Sequence, residues 1–215
     1  MLKLGVLASG RGSNLQAIIE AIVKDELDAQ VAVVISDRPD AQVLDLAKRY
    51  QIPAVYLDPK GYSRRESYDD AVVEALIGHA VELVLLAGYM RIVTRNLIEP
   101  FRNRIMNIHP AILPAFPGLH AQRQAVQYGV KLAGCSVHFV DETVDGGPVI
   151  IQAAVPVLDD DTEETLSTRI LEQEHRIYPH AVRLFAEGRL RVVGRKVTVS
   201  GGSPAKEKVL VNPAI

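Results

Sequence analysis

Three groups of residues in this chain have types and spacings that could do chemistry. The first is the run from Ala8 to Asn14, Ala-Ser-Gly-Arg-Gly-Ser-Asn, which stands just ahead of an apolar stretch of helical period. Gly10 and Gly12 permit a tight turn, and Ser13 and Asn14 occupy the places of helix N-caps. Free N–H groups and the positive dipole end would then face outward, which suits a phosphate. No Gly-Lys-Ser/Thr follows, and Leu15 stands where a dinucleotide fingerprint needs its third glycine, so a monophosphate fits better than a dinucleotide. An ordinary strand-to-helix turn with a good cap uses the same residues, and from the loop alone the two readings are even. Asp37 could imitate a ribose-binding acid, although a helix-entry or turn acid is the simpler reading.

The second group is Asn107-Ile-His109-Pro110. Strand alternation puts Asn107 and His109 on one side, and the proline fixes the chain just after the histidine. An amide and an imidazole at one strand end can donate to a developing oxyanion and move a proton, the two tasks of acyl transfer. The third group is the loop Asp-Glu-Thr-Val-Asp-Gly-Gly from Asp141 to Gly147. A carboxylate from Asp145 beside His109 would favour the protonated imidazole. Such Asp-Gly and Gly-Gly pairs routinely make plain polar turns, and from the loop alone that is the favoured reading. Tyr89-Met90-Arg91 could line a pocket for an aromatic ring or simply pack. His138 reads as an ordinary strand side chain, and Cys135 as inert packing.

The elements that must position these groups follow from hydrophobic pattern. Leu2 to Ala8, Val31 to Ile35, Ala54 to Leu57 and Leu83 to Ala87 are short continuous apolar runs, the mark of buried parallel strands. Between them Asn14 to Val23, Ala41 to Tyr50 and Arg65 to Gly78 read as helices; Leu15, Ile18, Ile19 and Ile22 share one face. A short strand at Ile105 to Ile108 precedes a proline-rich loop, His109 to Gly118, where regular helix is excluded. Cys135 to Val140 and Pro148 to Pro156 form an expected antiparallel pair, and a long helix from about Glu163 to Glu187 ends at Gly188. The expected fold is α/β: a Rossmann-like three-layer sandwich with a mostly parallel central sheet and an antiparallel addition in the C-terminal half. Residues 1–194 are expected as one domain, with a phosphate-binding half over about 1–104 and a catalytic half over about 105–194. Residues 195–215 are expected as a loose strand or arm.

Composition narrows the function class. The chain has 215 residues, a net charge of -2, one cysteine and 6 histidines without metal-ligand spacing. No metal site, internal disulfide, nucleic-acid partner or membrane partner is expected, and no signal peptide pattern is present. Small molecules in a reducing, cytoplasmic setting are the expected partners.

Taken together, the phrases SGRGSNLQAII, LAGYMRI, NIHPAILPAFPGLHA, GCSVHFVDETVDGGPVI and EQEHRIYP resemble the folate-dependent phosphoribosylglycinamide formyltransferase family, in the family's order across about 2–190. The resemblance implies transfer of a formyl group from 10-formyltetrahydrofolate, as cosubstrate, to the amine of 5-phosphoribosylglycinamide in purine synthesis, by a monomer or weak homodimer. It further implies that Gly12, Ser13 and Asn14 hold the phosphate and Glu174 the ribose hydroxyls. Asn107, His109 and Asp145 would be catalytic. Arg65, Met90, Arg91, Ile92 and Val93, with Asn107 and the loop residues Asp141, Glu142, Thr143, Val144 and Asp145, would contact the folate. Two positions depart from the family pattern: Ala111 where relatives often carry Ser, and apolar Leu171 one turn before Glu174. Formyltetrahydrofolate hydrolases and methionyl-tRNA formyltransferases resemble the chain around Asn107, His109 and Asp145, and the Gly-Ser-Asn phosphate loop separates them. A non-catalytic phosphosugar-binding module is the reading to expect if the His109 and Asp145 loops do not converge.

Overall fold

The computed structural model describes residues 1–201 and 212. Strands β1 (Leu2–Leu7), β2 (Ala29–Ser36), β3 (Ala54–Tyr56), β4 (Leu83–Leu86) and β5 (Ile105–His109) alternate with helices α1 (Ser13–Val23), α2 (Gln42–Arg49), α3 (Arg65–Gly78) and the short α4 (Arg95–Ile98). Then follow α5 (Ala121–Tyr128), β6 (Leu132–Phe139), β7 (Val149–Pro156), the long α6 (Glu163–Ala186), and two further strands, β8 (Leu190–Val193) and β9 (Lys196–Val199). The main sheet has seven strands in the order β3-β2-β1-β4-β5-β6-β7. The first five are parallel, and β6 and β7 join antiparallel.

Alternating side chains feed two cores. Leu4, Val6, Leu83 and Leu85 pack with Leu15 and Ile18 of α1 and with Ile170, Tyr178 and Val182 of α6. Leu7, Val33, Val84 and Leu86 face the other way, against Tyr68, Val72 and Leu76 of α3 and Leu97 of α4. Fully buried parallel strands need apolar residues on both faces, which is why the strand segments carry no polar alternation. The layers are therefore helix, sheet, helix, as the repeated strand-helix pattern implies. After β3 the chain returns to β4 on the opposite side of β1, so strand order reverses between β1 and β4. In such sheets the crevice at the carboxyl ends on either side of this reversal is where ligands bind.

Three elements differ from the sequence expectation. Helices α4, of 4 residues, and α5, of 8, were not among the expected elements. The chain after Gly194 does not start as a loose arm: β9 pairs with β8 as an antiparallel hairpin, with Gly194 at its turn. Beyond Gly201 the arm, apart from Asn212, lies outside the described residues. Asn212 donates through its amide to the carbonyls of Lys131 and Val157, both at 2.8 Å. Among the described residues no helix is long and apolar enough to cross a membrane.

Candidate active site

At the carboxyl end of β1 the chain turns through Ala8 to Gly12 into α1. Gly12 itself is the N-cap, in the left-handed region at φ 84°, and no side chain caps the helix. A side chain at Gly12 would have its Cβ 2.8 Å from Cγ2 of Val43, so both backbone angle and space demand glycine there. Ser13 and Asn14 are thus not caps, as their types led one to expect, but the first residues inside the helix. The first N–H groups of a helix have no intrahelical acceptor, and a helix start without a side-chain cap leaves them to an external anion. The Asn14 amide is drawn elsewhere: its Nδ2 donates to Oε2 of Glu174 on α6 at 2.8 Å, and both residues are buried. Burial pushes the Glu174 carboxyl above its ordinary range, and the Asn14 hydrogen bond only partly opposes this. Asn14 Oδ1 is buried without a partner among the described residues. The two halves of the chain therefore meet at the phosphate-type loop.

Two strands away, β5 ends at His109. Asn107 lies opposite His138 of the antiparallel β6, and the loop after β6 swings Asp145 onto the same spot. Asn107 Nδ2 is 3.3 Å from Asp145 Oδ1 and 3.1 Å from His138 Nε2. His109 Nδ1 is 3.4 Å from Asp145 Oδ2, while His109 Nε2 faces the carbonyl of Phe116 at 2.9 Å. Both ring nitrogens of His109 therefore look at acceptors, and a ring protonated on both satisfies both. His138 donates from Nδ1 to the Phe139 carbonyl at 2.9 Å, leaving Nε2 to face Asn107 and, at 3.7 Å, Asp145 Oδ1. The Gly118 N–H donates to Asp145 Oδ2 at 2.7 Å. Burial alone would push the Asp145 carboxyl up. The His138 hydrogen bond, the Gly118 N–H and the charges of His109 and His138 together outweigh it and hold the carboxyl below its ordinary range.

The surroundings hold this cluster in place. Ser136, opposite His109 in β6, donates to the Ala111 carbonyl at 2.7 Å and accepts from the Leu113 N–H at 3.0 Å, which fastens the proline-rich loop. Asp145 takes φ 50°, a conformation that aspartate tolerates better than most residues. Gly147 packs so closely on the Phe139 carbonyl that no Cβ could be placed there. The pair Gly146-Gly147 is thus a packing requirement and not only a flexible turn. From the β8–β9 turn, Arg195 donates to the Gly146 carbonyl at 2.7 Å.

The third wall is the loop after β4. Met90 and Ile92 are 60% and 57% exposed, large apolar side chains left in solvent at the rim of the crevice. The Arg91 guanidinium lies 4.5 Å over the ring of Tyr68, and the Tyr89 hydroxyl donates to that of Tyr68 at 3.3 Å. The Thr94 N–H donates to Oδ2 of Asp69 at 2.6 Å. Val93 packs inward, against the α3 and α4 core. Arg65 opens α3 one turn before Tyr68 and is exposed; no hydrogen bond or ion pair joins it to this loop in the described structure. Within the Asp145 loop, Thr143 N–H donates to Asp141 at 2.8 Å, Val144 is exposed, and Glu142 lies 3.9 Å from Arg95. Cys135 is buried, its thiol pushed up to about 12 by desolvation first and Glu174 second, in keeping with inert packing.

Asn107, His109 and Asp145 are brought together as the family resemblance implies, and Asn14, next to Gly12 and Ser13, reaches Glu174. His138, which sequence reasoning assigned to plain strand packing, is a member of the cluster. The signal for it was pairing: Ser-Val-His-Phe-Val and Met-Asn-Ile-His have matching alternation once set antiparallel.

The chain matches the formyl transferase family over residues 2–182. A phosphoribosylglycinamide formyltransferase of Bacillus subtilis is 43% identical over 183 residues, covering 85% of this chain and 94% of that protein. Among solved structures, glycinamide ribonucleotide transformylase 1 of Symbiobacterium toebii has a TM-score of 0.91 at 56% identity, covering 93% of this chain and 94% of that one. A formyltetrahydrofolate deformylase of Pseudomonas syringae has a TM-score of 0.85 at 30% identity, covering 92% of this chain and 65% of that one.

Proposed function

The chain belongs to the formyl transferase family, and on that premise we propose that it moves the formyl group of 10-formyltetrahydrofolate to the amine of 5-phosphoribosylglycinamide, a step of purine synthesis. The observation that carries this reading is the convergence of Asn107, His109 and Asp145, each within 3.4 Å of a partner in the cluster. An amide, an imidazole and a carboxylate at one strand end are what acyl transfer needs, and the phosphate-type loop of Gly12, Ser13 and Asn14 lies at the same carboxyl end of the sheet.

The phosphate sits on the uncapped start of α1, and Glu174 accepts hydrogen bonds from the ribose hydroxyls. The folate lies along Met90, Arg91, Ile92 and Val93 and against the loop from Asp141 to Asp145, with Arg65 at the outer rim. Exposed Met90, Ile92 and Val144 supply apolar cover for a planar ring. The amine nitrogen attacks the formyl carbon; a carbon–nitrogen bond forms and the carbonyl pair moves onto oxygen. Asn107 and His109 give that oxygen hydrogen bonds; for His109 Nε2 a full negative charge is a stronger acceptor than the neutral Phe116 carbonyl it now faces. Asp145, 3.4 Å from His109 Nδ1, orients the ring. Collapse breaks the bond to the folate nitrogen, which departs with the proton released by the amine. Much of the acceleration comes from holding both reactants in one crevice.

Hydrolysis is the competing reading, because the Pseudomonas deformylase shares the fold. The higher identity to transferases, over almost their whole length, favours transfer. The deciding experiment follows loss of the formyl group from 10-formyltetrahydrofolate by absorbance, with and without phosphoribosylglycinamide. Turnover that requires the amine supports transfer. Equal turnover without it makes the protein a hydrolase.

A further inference from the structure

We propose that Ser9 is a positioning residue that sets the folate-facing loop in register with the phosphate loop, an inference that rests on the site reading above. Strand order reverses between β1 and β4, so their two carboxyl-end loops diverge over the crevice. Ser9, two residues beyond β1 and only 4% exposed, ties them together. Its N–H donates to the Gly88 carbonyl at 3.1 Å. Its hydroxyl donates to Oδ1 of Asp37 at 2.6 Å and accepts from the Met90 N–H at 2.9 Å.

The direction of these bonds matters. A serine hydroxyl has one hydrogen, and the carboxylate of Asp37, just past the end of β2, takes it. The oxygen lone pairs are then left for the Met90 N–H. Asp37 thus orients Ser9 and does not open a helix, since α2 starts at Gln42. Three parallel strands thus converge on one buried hydroxyl. The far end of the same loop is held separately, by Asp69 on the Thr94 N–H. Removing the Ser9 hydroxyl leaves the Ser9 N–H on the Gly88 carbonyl but frees the Met90 N–H, just where the exposed side chains of Met90 and Ile92 and the Tyr68-stacked Arg91 take their direction from the backbone.

The test compares Ser9→Ala, Asp37→Ala, Asp37→Asn and Ser9→Ala/Asp37→Ala. Titration calorimetry measures binding of a non-reactive 10-formyltetrahydrofolate analogue and, separately, of phosphoribosylglycinamide. Loss of one buried main-chain partner should weaken folate binding by about 5- to 10-fold in Ser9→Ala and by a similar or smaller factor in Asp37→Ala. Asp37→Asn keeps an acceptor for the hydroxyl and should bind as wild type does. The double variant should be no weaker than Ser9→Ala, because both changes break one linkage. Phosphoribosylglycinamide binding should stay within about 2-fold throughout, well under the loss that one hydrogen bond carries. Equal weakening of both ligands, additive single effects, or undisturbed folate binding in Ser9→Ala would each overturn the proposal. A wild-type protein that binds no folate analogue would overturn the site reading itself, and the proposal with it.

Discussion

Asp145→Asn changes one oxygen to an amide and removes one negative charge, so it isolates what the carboxylate contributes to the cluster. The carboxylate lies 3.4 Å from His109, and both side chains are largely buried. At that separation and an effective dielectric of about 20, a carboxylate and a protonated imidazole attract by about 5 kcal/mol. Desolvation takes back part of this, so a net loss of about 2 to 4 kcal/mol of transition-state stabilisation is expected, or roughly 30- to 900-fold in kcat. The pH dependence has a definite sign. The folded carboxyl is held below its ordinary range, so it stays ionised at every pH above that range, and wild-type activity should not fall there through Asp145. Its contribution to stability is present above the ordinary carboxylate pKa and is lost as pH falls through the lowered folded value. In the variant the imidazole lacks its carboxylate partner, so the loss should fall on kcat while phosphoribosylglycinamide binding is kept. Steady-state kinetics from pH 5 to 9, roughly the window in which histidine titrates, with binding of phosphoribosylglycinamide measured alongside, checks each point. A kcat within about 3-fold of wild type, below the loss of even one charged hydrogen bond, would refute the reasoning.

Other substitutions probe the remaining parts. Glu174→Gln should weaken phosphoribosylglycinamide binding by about 10-fold or more, the loss of a charged hydrogen bond, in a competition assay. Because the folded pKa of Glu174 is raised, ionisation opposes folding as pH rises; the Gln variant should therefore melt above wild type at neutral pH, with the gap closing on acidification. Gly12→Ala forces a side chain into φ 84° against Val43 and should cost about 1 to 3 kcal/mol of stability by denaturant titration, with loss of phosphate binding. Tyr178→Phe strips the buried hydroxyl that donates to the carbonyls of Leu86 and Met106. It should cost about 1 to 3 kcal/mol of stability while leaving kcat unchanged, a separation that kinetics and chemical unfolding together would show.

How much of this was legible in the sequence depended on whether the signal was local. Asn107 and His109 were visible because a strand's two-residue period places them on one side whatever the partner. Asp145 was ambiguous, since an Asp-Gly-Gly turn looks alike whether or not it closes over a site, and only the β6–β7 pairing decides where the loop lands. His138 was missed for the same reason: its neighbour Asn107 is 31 residues away and visible only through antiparallel register. Ser13 and Asn14 looked like caps by residue type, yet Gly12 ends the loop by backbone geometry and the Asn14 amide is claimed by Glu174, 160 residues distant. The β8–β9 hairpin carried its own signal in the β-branched residues Val192, Val193, Val197, Thr198 and Val199, but Gly194 between them reads equally as the end of a domain.

If one cluster transfers a formyl group to an amine anchored by its phosphate, following that group itself shows it. With 10-formyltetrahydrofolate labelled in the formyl carbon, mass spectrometry should find the label in formylglycinamide ribonucleotide, mole for mole with tetrahydrofolate formed, and His109→Ala should abolish it without preventing phosphoribosylglycinamide from binding. Label appearing as free formate, at the same rate whether or not the amine is present, would contradict the account.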